Sequence, residues 1–301
     1  MAVTLDGTTG ITSPAISTPD FANTNALGMR NRLINGSIAI DQRNEGASQV
    51  ITAAAALAYT VDRWYAYCTG ANVTGQRVTS SAGNVYAYQF TGAASVTAIG
   101  FGQRIEAIHS ADLAGSTATL SVDLSNSLLT TVTWTAYYAT TADTFGTLAS
   151  PTRTQIATGT FTVNSTLTRY NAQINVPLAA TTGIEIVLSV GAQTSGTWVI
   201  DNVQFEAGSI ATPIERRLTA SEWYMCLRYY EVRTVFSVAK GAQYDGNGWI
   251  FVAQYQRKRV IPTITCTGSF STAGGRTSTT SSIMTSGGAL DGQTAYFNSE
   301  M

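Results

Sequence analysis

The sequence is poor in charged residues. Only 12% of its 301 residues are Asp, Glu, Lys or Arg, about half the fraction typical of soluble domains. The formal net charge of −1 excludes a general electrostatic attraction to nucleic acid or to anionic membranes. Because 44% of the residues are hydrophobic, the low charge does not indicate disorder. The surface must be solvated mainly by hydroxyls and amides.

Histidine and cysteine are also scarce. His109 is the only histidine, which excludes a multi-histidine metal site and the HExxH motif. Cys68, Cys226 and Cys266 are widely and irregularly spaced, which favours buried free thiols over a disulfide framework or a zinc site. No cofactor is predicted.

Long apolar runs are missing as well. The most apolar stretch, residues 50–61, is too short and too rich in Ala and Thr to span a bilayer. The first residues lack a basic region followed by an apolar segment, so no secretory signal is predicted. We therefore expect no membrane insertion and a chain that stays in the cytoplasm where it is made until assembly or lysis.

Short segments of alternating apolar residues fill the chain from Leu33 onward. Residues 120–124 and 184–190 alternate strictly, which predicts strands with one buried face. Further strands are predicted at residues 63–68, 85–90, 96–107, 132–139, 155–163, 170–176 and 197–206. This number and spacing of strands predict an all-β protein with two stacked sheets.

The chain is predicted to divide into three parts. Residues 1–32 contain few large apolar side chains and indicate an extended arm, either ordered by contact with other chains or disordered in isolation. Residues 33–212 form the β-sandwich. Residues 213–301 form a short helix followed by a C-terminal β domain.

Two local signals lie in the third part. Thr219 and Glu222 have the spacing of a capping box, and Trp223, Leu227 and Tyr230 follow at helical spacing, which predicts an amphipathic helix over residues 220–229. The sequence Asp-Gly-Asn-Gly at residues 245–248 predicts a hairpin between strands at 230–239 and 248–256.

Several segments together resemble a domain widespread in phage and prophage tail-fibre proteins. These segments are NRLINGSIAIDQRN (31–44), YTVDRW (59–64), GFGQRIE (100–106), WVIDNVQFEAGS (198–209), ATPIERR (211–217) and CLRYY (226–230). The resemblance covers roughly residues 31–232. The segment TLDGTTGI (4–11) similarly resembles N-terminal arms of phage fibre proteins.

The Asn-Gly pair at 35–36 and the strand at 200–206 are also similar to the first and last strands of galactose-binding-like jelly rolls, the fold of many carbohydrate-binding modules. The resemblance implies a jelly roll at 33–212 whose terminal strands pair and bring Asn35 close to Asp201. Related modules often hold a structural calcium with an acidic residue after the Asn-Gly pair. Here Ser37 occupies that position, so Asn35 and Asp201 are weak calcium candidates and no metal is predicted.

The resemblance implies a structural virion protein of a tailed bacteriophage, on the tail or capsid surface. The expected protein is a homotrimeric tail-fibre or receptor-binding subunit, attached to other virion proteins through its arm and contacting host-surface polysaccharide. A capsid head-fibre or decoration protein without sugar binding is the first alternative, and a polysaccharide depolymerase is the second. Because the carboxylates lie on scattered predicted strands and a glycosidase needs two that face each other, no enzymatic activity is predicted.

Sugar binding by a jelly roll requires aromatic faces that stack on pyranose rings. The candidate ligand-binding residues are Trp64, Tyr65, Tyr67, Tyr86, Tyr88 and Tyr137. Strand parity puts Tyr65 and Tyr67 on one face with Trp64 on the other, and puts Tyr86 and Tyr88 together. Packing in the core or at a subunit interface is the alternative role for these rings. The basic run at 257–259 is either an anion-binding patch or a cap on a strand edge or subunit contact.

Overall fold

The computed structural model describes residues 29–232 apart from 55 and 82, residues 255–260 and 262, and the backbone of short strands within the two terminal regions. The strands in chain order are β1 (Thr4–Asp6), β2 (Gly10–Thr12), β3 (Gln49–Ile51), β4 (Ala58–Tyr59), β5 (Tyr65–Thr69), β6 (Val73–Thr79), β7 (Tyr86–Thr91), β8 (Ala98–Ile105), β9 (Thr117–Asn126), β10 (Thr131–Ala139), β11 (Arg153–Thr162), β12 (Thr168–Asn175), β13 (Ile184–Val190), β14 (Thr197–Ala207), β15 (Ala242–Asp245), β16 (Gly248–Gln254), β17 (Phe270–Ser271), β18 (Thr277–Ser278), β19 (Ser282–Thr285) and β20 (Thr294–Glu300). The α-helices among these residues are α1 (Ala107–Ser110) and α2 (Thr219–Leu227). None of the described helices is long and apolar enough to cross a membrane.

Two six-stranded antiparallel sheets make up the main body. Sheet A has the strand order β11-β10-β13-β8-β5-β4, and sheet B has the order β12-β9-β14-β7-β6-β3. The predicted all-β jelly-roll sandwich is confirmed. Strands β3, β4 and β6 were not predicted, because β3 and β4 have only two or three residues and β6 carries Gly75 and Arg77 at positions where alternation with Val73 would require apolar residues.

The core lies between the inner faces of the two sheets. Alternation along β13 turns Ile184, Ile186 and Leu188 inward, and each is at most 1% exposed. Aromatic rings fill the centre of the core, where Trp64 stacks on Phe101 with ring centroids 4.8 Å apart. Burial of these side chains from water stabilises the sandwich.

The first segment of the sandwich lies along its last strand, as expected, although it forms turns and not a strand. The Arg32 amide donates to the Phe205 carbonyl at 2.8 Å, and the Val203 amide donates to the Gly36 carbonyl at 2.9 Å. The Asn31 side chain donates to the Val203 carbonyl at 2.9 Å. These bonds fix where the chain enters the sandwich.

Helix α2 is confirmed, but the predicted capping box is wrong. The N-cap is Leu218 and no side chain caps it, because the Glu222 carboxylate instead accepts the Asn35 amide at 2.7 Å and pairs with Arg217 at 3.0 Å. The predicted apolar face is also partly wrong, since Trp223 is 39% exposed and the buried residues of the helix include Cys226. Glu222 therefore joins the helix to the sandwich, although the sequence grouped this helix with the C-terminal β domain.

The C-terminal hairpin is confirmed by the pairing of Asp245 with Gly248. Its first strand is β15, not the predicted strand at 230–239: residues 230–232 have no strand structure, and 233–241 lie outside the described residues. Strands β15, β16, β20 and β19 form a four-stranded sheet. Cys68 and Cys226 are buried free thiols, as predicted, and Cys266 lies outside the described residues.

Candidate functional site

Tyrosines gather on the outer face of sheet A. Tyr59 of β4 pairs with Tyr65 of β5, and Tyr137 lies on β10 in the row of outward positions that also contains Glu185 of β13. Parity places Tyr67 on the same side as Tyr65, as predicted from the sequence. We define the tyrosine face as Tyr59, Tyr65, Tyr67, Tyr137, Arg104, Arg153 and Glu185.

Two glycines of β8 let tyrosine rings approach sheet A closely. Tyr67 pairs with Gly100 and Tyr65 pairs with Gly102 across the β5–β8 ladder. A Cβ atom at Gly100 would be 2.2 Å from ring atoms of Tyr67, and one at Gly102 would be 2.5 Å from the Tyr65 hydroxyl. Only glycine leaves room for these rings. The Tyr67 ring therefore covers Gly100 on the outer face of the sheet and stays partly exposed.

A buried carboxylate fixes the polar groups of the tyrosine face. Glu185 Oε1 accepts hydrogen bonds from Arg104 Nε and from the Tyr65 hydroxyl, both at 2.7 Å, while Oε2 pairs with Arg153. The Glu185 side chain is 0% exposed. Burial and the adjacent Glu185 carboxylate raise the pKa of Tyr65 well above its usual 10.0. The Tyr65 hydroxyl therefore stays protonated and oriented.

The two outer tyrosines are more open than Tyr65. Tyr67 and Tyr137 are half-buried, and the Arg153 guanidinium lies 4.0 Å from the centroid of the Tyr137 ring. Burial raises the pKa of the Tyr67 hydroxyl above 10.0, so it is a hydrogen-bond donor at neutral pH. The face thus offers ring surface next to guanidinium and hydroxyl donors.

Two of the predicted ligand-binding residues belong to the core and not to a sugar-binding surface. Trp64 is 0% exposed and Tyr88 is 1% exposed, and each stacks on Phe101. Tyr86 has the same strand parity as Tyr88 but is only half-buried and is not part of the core cluster; the Arg77 guanidinium lies 4.1 Å from its ring centroid. Tyr65 is on the outer face as predicted, but at 1% exposure it supports the surface and presents little of its own ring.

Both calcium candidates are engaged in internal hydrogen bonds. The Asn35 side chain donates to the carbonyls of Ile40 and Asp62 at 2.8 Å and 3.0 Å and accepts the Ile40 amide at 2.9 Å. Asp201 accepts hydrogen bonds from the side chains of Ser80 and Asn84. Within the described part of the chain, no three His, Cys, Asp or Glu side chains group as metal ligands.

Asp201 gives the folded protein a pH dependence. Burial, assisted by the nearby Asp123 carboxylate, raises the pKa of Asp201 from 3.8 to about 6 against the hydrogen bonds that lower it. Between these values the folded state binds the proton more tightly than the unfolded state, so the stability contributed by Asp201 is present at low pH and is lost as the pH rises through this window. We expect the free energy of unfolding of the wild type, relative to Asp201→Asn, to fall by up to about 1.4 kcal/mol per pH unit there.

Urea denaturation of both proteins at several pH values between about 4 and about 7 measures this difference. Asp112→Asn is the matched control, because the Asp112 side chain is 53% exposed and its removal should leave the slope of the wild type nearly unchanged. Parallel pH profiles for wild type and Asp201→Asn would contradict the assigned role of Asp201.

Sequence reasoning missed the charged members of the tyrosine face. Arg104 and Glu185 were placed on predicted strands, but their contact joins β8 to β13 across a separation of 81 positions. Arg153 begins β11 at a position with no motif of its own. The only available signal was strand parity, which puts Glu185 on the face opposite to Ile184 and Ile186.

No family model matches the chain, and no curated protein matches its sequence. Among solved structures, the chain is similar to a family 61 carbohydrate-binding module in complex with β-1,4-galactotriose, with 14% identity, a TM-score of 0.37 and coverage of 60% of this chain and 99% of that one. It is similar to the enzymatically active domain of bacteriophage CBA120 tailspike protein 4, with 18% identity, a TM-score of 0.35 and coverage of 59% and 21%. It is also similar to a family 11 carbohydrate-binding module from Clostridium thermocellum, with 14% identity, a TM-score of 0.33 and coverage of 55% and 98%. At these identities the likeness concerns the fold alone.

Proposed function

We propose that the protein is a non-catalytic glycan-binding protein whose binding surface is the tyrosine face. The observation that carries the proposal is the half-buried Tyr67 ring, which covers Gly100 on the outer face of sheet A. Pyranose rings stack on aromatic faces of this kind, because their apolar C–H faces leave water on contact. Tyr59 and Tyr137 supply further ring surface beside it.

Polar groups around the rings support recognition of sugar hydroxyls. Arg104 and Arg153 are held by Glu185, so their remaining N–H groups are already oriented before a ligand arrives. Thr133 of β10 and Ser189 of β13 are paired on the same outer face and are half-buried. Their hydroxyls can donate and accept hydrogen bonds.

The state of Glu185 favours binding over catalysis. A glycosidase needs one carboxyl group as acid and a second as base or nucleophile on opposite sides of the scissile bond. Glu185 is 0% exposed and engages two arginines and a tyrosine hydroxyl. A carboxylate so neutralised and covered is a structural group of the face, which argues against a depolymerase.

Removing the Tyr67 ring is expected to weaken glycan binding about tenfold or more, while the free energy of unfolding falls by only about 1 kcal/mol. The reason is that this half-buried side chain lies on the outer face of sheet A and not in the core. Titration calorimetry of the wild type and Tyr67→Ala with a glycan selected from a polysaccharide array measures the effect.

Tyr224→Ala is the matched control, because Tyr224 is 63% exposed on helix α2 and lies outside the tyrosine face. Its affinity should equal that of the wild type. Equal affinities for wild type and Tyr67→Ala, or release of reducing ends from the bound polysaccharide, would refute the proposal.

We further propose that the protein acts in a tailed-phage virion as a homotrimeric tail-fibre or receptor-binding subunit. The resemblance of residues 31–232 to phage fibre domains supports this role. So do exposed apolar side chains in the segment before helix α2, where Ile210 is 57% and Leu218 is 78% exposed, because such side chains commonly contact other chains. Cryo-electron microscopy of virions that carry the chain tests the location and copy number. A capsid position would instead favour the decoration role.

A further inference from the structure

A cavity of about 240 Å³ lies beside the tyrosine face. Tyr59 and Arg104 line it and also belong to the tyrosine face, so the two surfaces are continuous. Six of the protein's 17 basic residues line the cavity. They are Arg43, Arg63, Arg104, Arg228, Lys258 and Arg259. A cluster of this size is notable in a chain whose net charge is −1.

Only part of this positive charge is neutralised internally. Arg228 pairs with Glu106 at 2.9 Å and Lys258 pairs with Glu231 at 2.6 Å, while Arg104 pairs with Glu185 of the tyrosine face. Asp143 is the other acidic residue of the lining, and its carboxylate accepts the backbone amide of Ala107.

The remaining three guanidinium groups form no ion pair with any carboxylate in the described residues. They belong to Arg43, Arg63 and Arg259. Arg259 is exposed, whereas Arg63 is only 8% exposed. Arg43 lies near the buried Asp62 carboxylate without forming an ion pair with it. The cavity lining therefore retains positive charge that no ion pair among the described residues neutralises.

Tyrosine rings hold two of these guanidinium groups in place. Arg43 lies 3.4 Å from the ring centroid of Tyr230, and Arg63 lies 3.4 Å from that of Tyr229. The Nε atoms of Arg43 and Arg63 are buried and have no hydrogen-bond partner among the described residues. These Nε atoms are covered, and Arg63 also donates through Nη2 to the Arg104 carbonyl, so an oxyanion would be bound through the other guanidinium N–H groups, whose charge-assisted hydrogen bonds are strong.

We propose that this cavity binds a carboxylate or phosphate group of an acidic glycan whose neighbouring sugar residues lie on the tyrosine face, an inference that rests on the proposed glycan-binding function. The size of the cavity is consistent with a single charged group or sugar residue, since sites for larger ligands measure about 300–1,000 Å³. The basic run at 257–259 then contributes Arg259 and Lys258 to an anion site, the first of the two roles that its sequence allowed.

The test compares binding of the full chain to an array of neutral, uronate-bearing and phosphate-bearing polysaccharides, followed by calorimetry on the best neutral and best acidic polymer. We expect the acidic polymer to bind about tenfold more tightly or better, and the double variant Arg43→Gln/Arg259→Gln to lose about that factor for the acidic polymer alone. The advantage should shrink at high salt. The uronate and phosphate arms identify which oxyanion is bound.

Arg257→Gln is the matched control, because Arg257 is exposed in the same basic run but does not line the cavity. It should change the acidic affinity less than about twofold. An equal loss of affinity for Arg257→Gln, or acidic polymers that bind no more tightly than neutral ones, would overturn the anion site.

If neutral polymers still bind and Tyr67→Ala weakens their binding, the proposed glycan-binding role of the tyrosine face is retained and only the anion site is rejected. If no polymer binds, both proposals fail.

Discussion

Replacing Glu185 by alanine is expected to lower the free energy of unfolding by about 3–5 kcal/mol, the usual cost of removing one partner from a buried ion pair. The substitution leaves two guanidinium groups, whose side chains are only 24% and 15% exposed, side by side without a counter-charge. It also removes the acceptor of the Tyr65 hydroxyl. Urea denaturation followed by circular dichroism measures the loss.

Glu185→Gln separates the charge from the shape of this side chain. Glutamine keeps the volume and one acceptor oxygen, so we expect a smaller loss of stability together with weaker glycan binding, because Arg104 and Arg153 are no longer held as firmly. Asp112→Ala is the control: it removes the Arg32–Asp112 pair, whose side chains are 21% and 53% exposed, and should cost at most about 1 kcal/mol. An equal loss of unfolding free energy for the Glu185 and Asp112 variants would contradict the role of Glu185 in holding Arg104 and Arg153.

Replacing Trp64 by alanine is expected to lower the free energy of unfolding by about 3–5 kcal/mol, as for other large-to-small changes of buried aromatic residues. Trp64 is 0% exposed, stacks on Phe101, and donates its indole N–H to the Asn35 carbonyl at 2.9 Å. The substitution therefore opens a cavity between the sheets and leaves a buried carbonyl without its donor. The same urea denaturation measures the effect.

Trp64→Phe should cost less, because it keeps the stacked ring and loses only the hydrogen bond and part of the volume. Trp223→Ala is the control, since Trp223 is 39% exposed, and should cost about 1 kcal/mol or less. Glycan affinity distinguishes the two roles considered for Trp64. A Trp64→Ala variant that is stable but does not bind glycan would show that this residue belongs to the binding surface and not to the core.

The strands of the sandwich were largely predictable, because the alternation of apolar and polar residues can be seen within each strand alone. The prediction at 184–190 coincides with β13 (Ile184–Val190), and that at 197–206 differs from β14 (Thr197–Ala207) by one residue. Edge strands such as β4 (Ala58–Tyr59) were missed because two residues carry no period. The capping box failed because a distant backbone amide, that of Asn35, competed for the Glu222 carboxylate.

The sequence by itself determined the fold class, the positions of the longer sandwich strands other than β6, and the parity of Tyr65 and Tyr67, since these depend on residues a few positions apart. It could not decide which parity faces water. Two pairs of tyrosines stand two positions apart on one strand: Tyr65 with Tyr67, and Tyr86 with Tyr88. Only the first pair lies on the outer face of its sheet. Tertiary structure settled that choice, the ion pairs around Glu185 and the basic cavity. Each depends on strands and loops that are far apart in the chain and meet only when the two sheets pack.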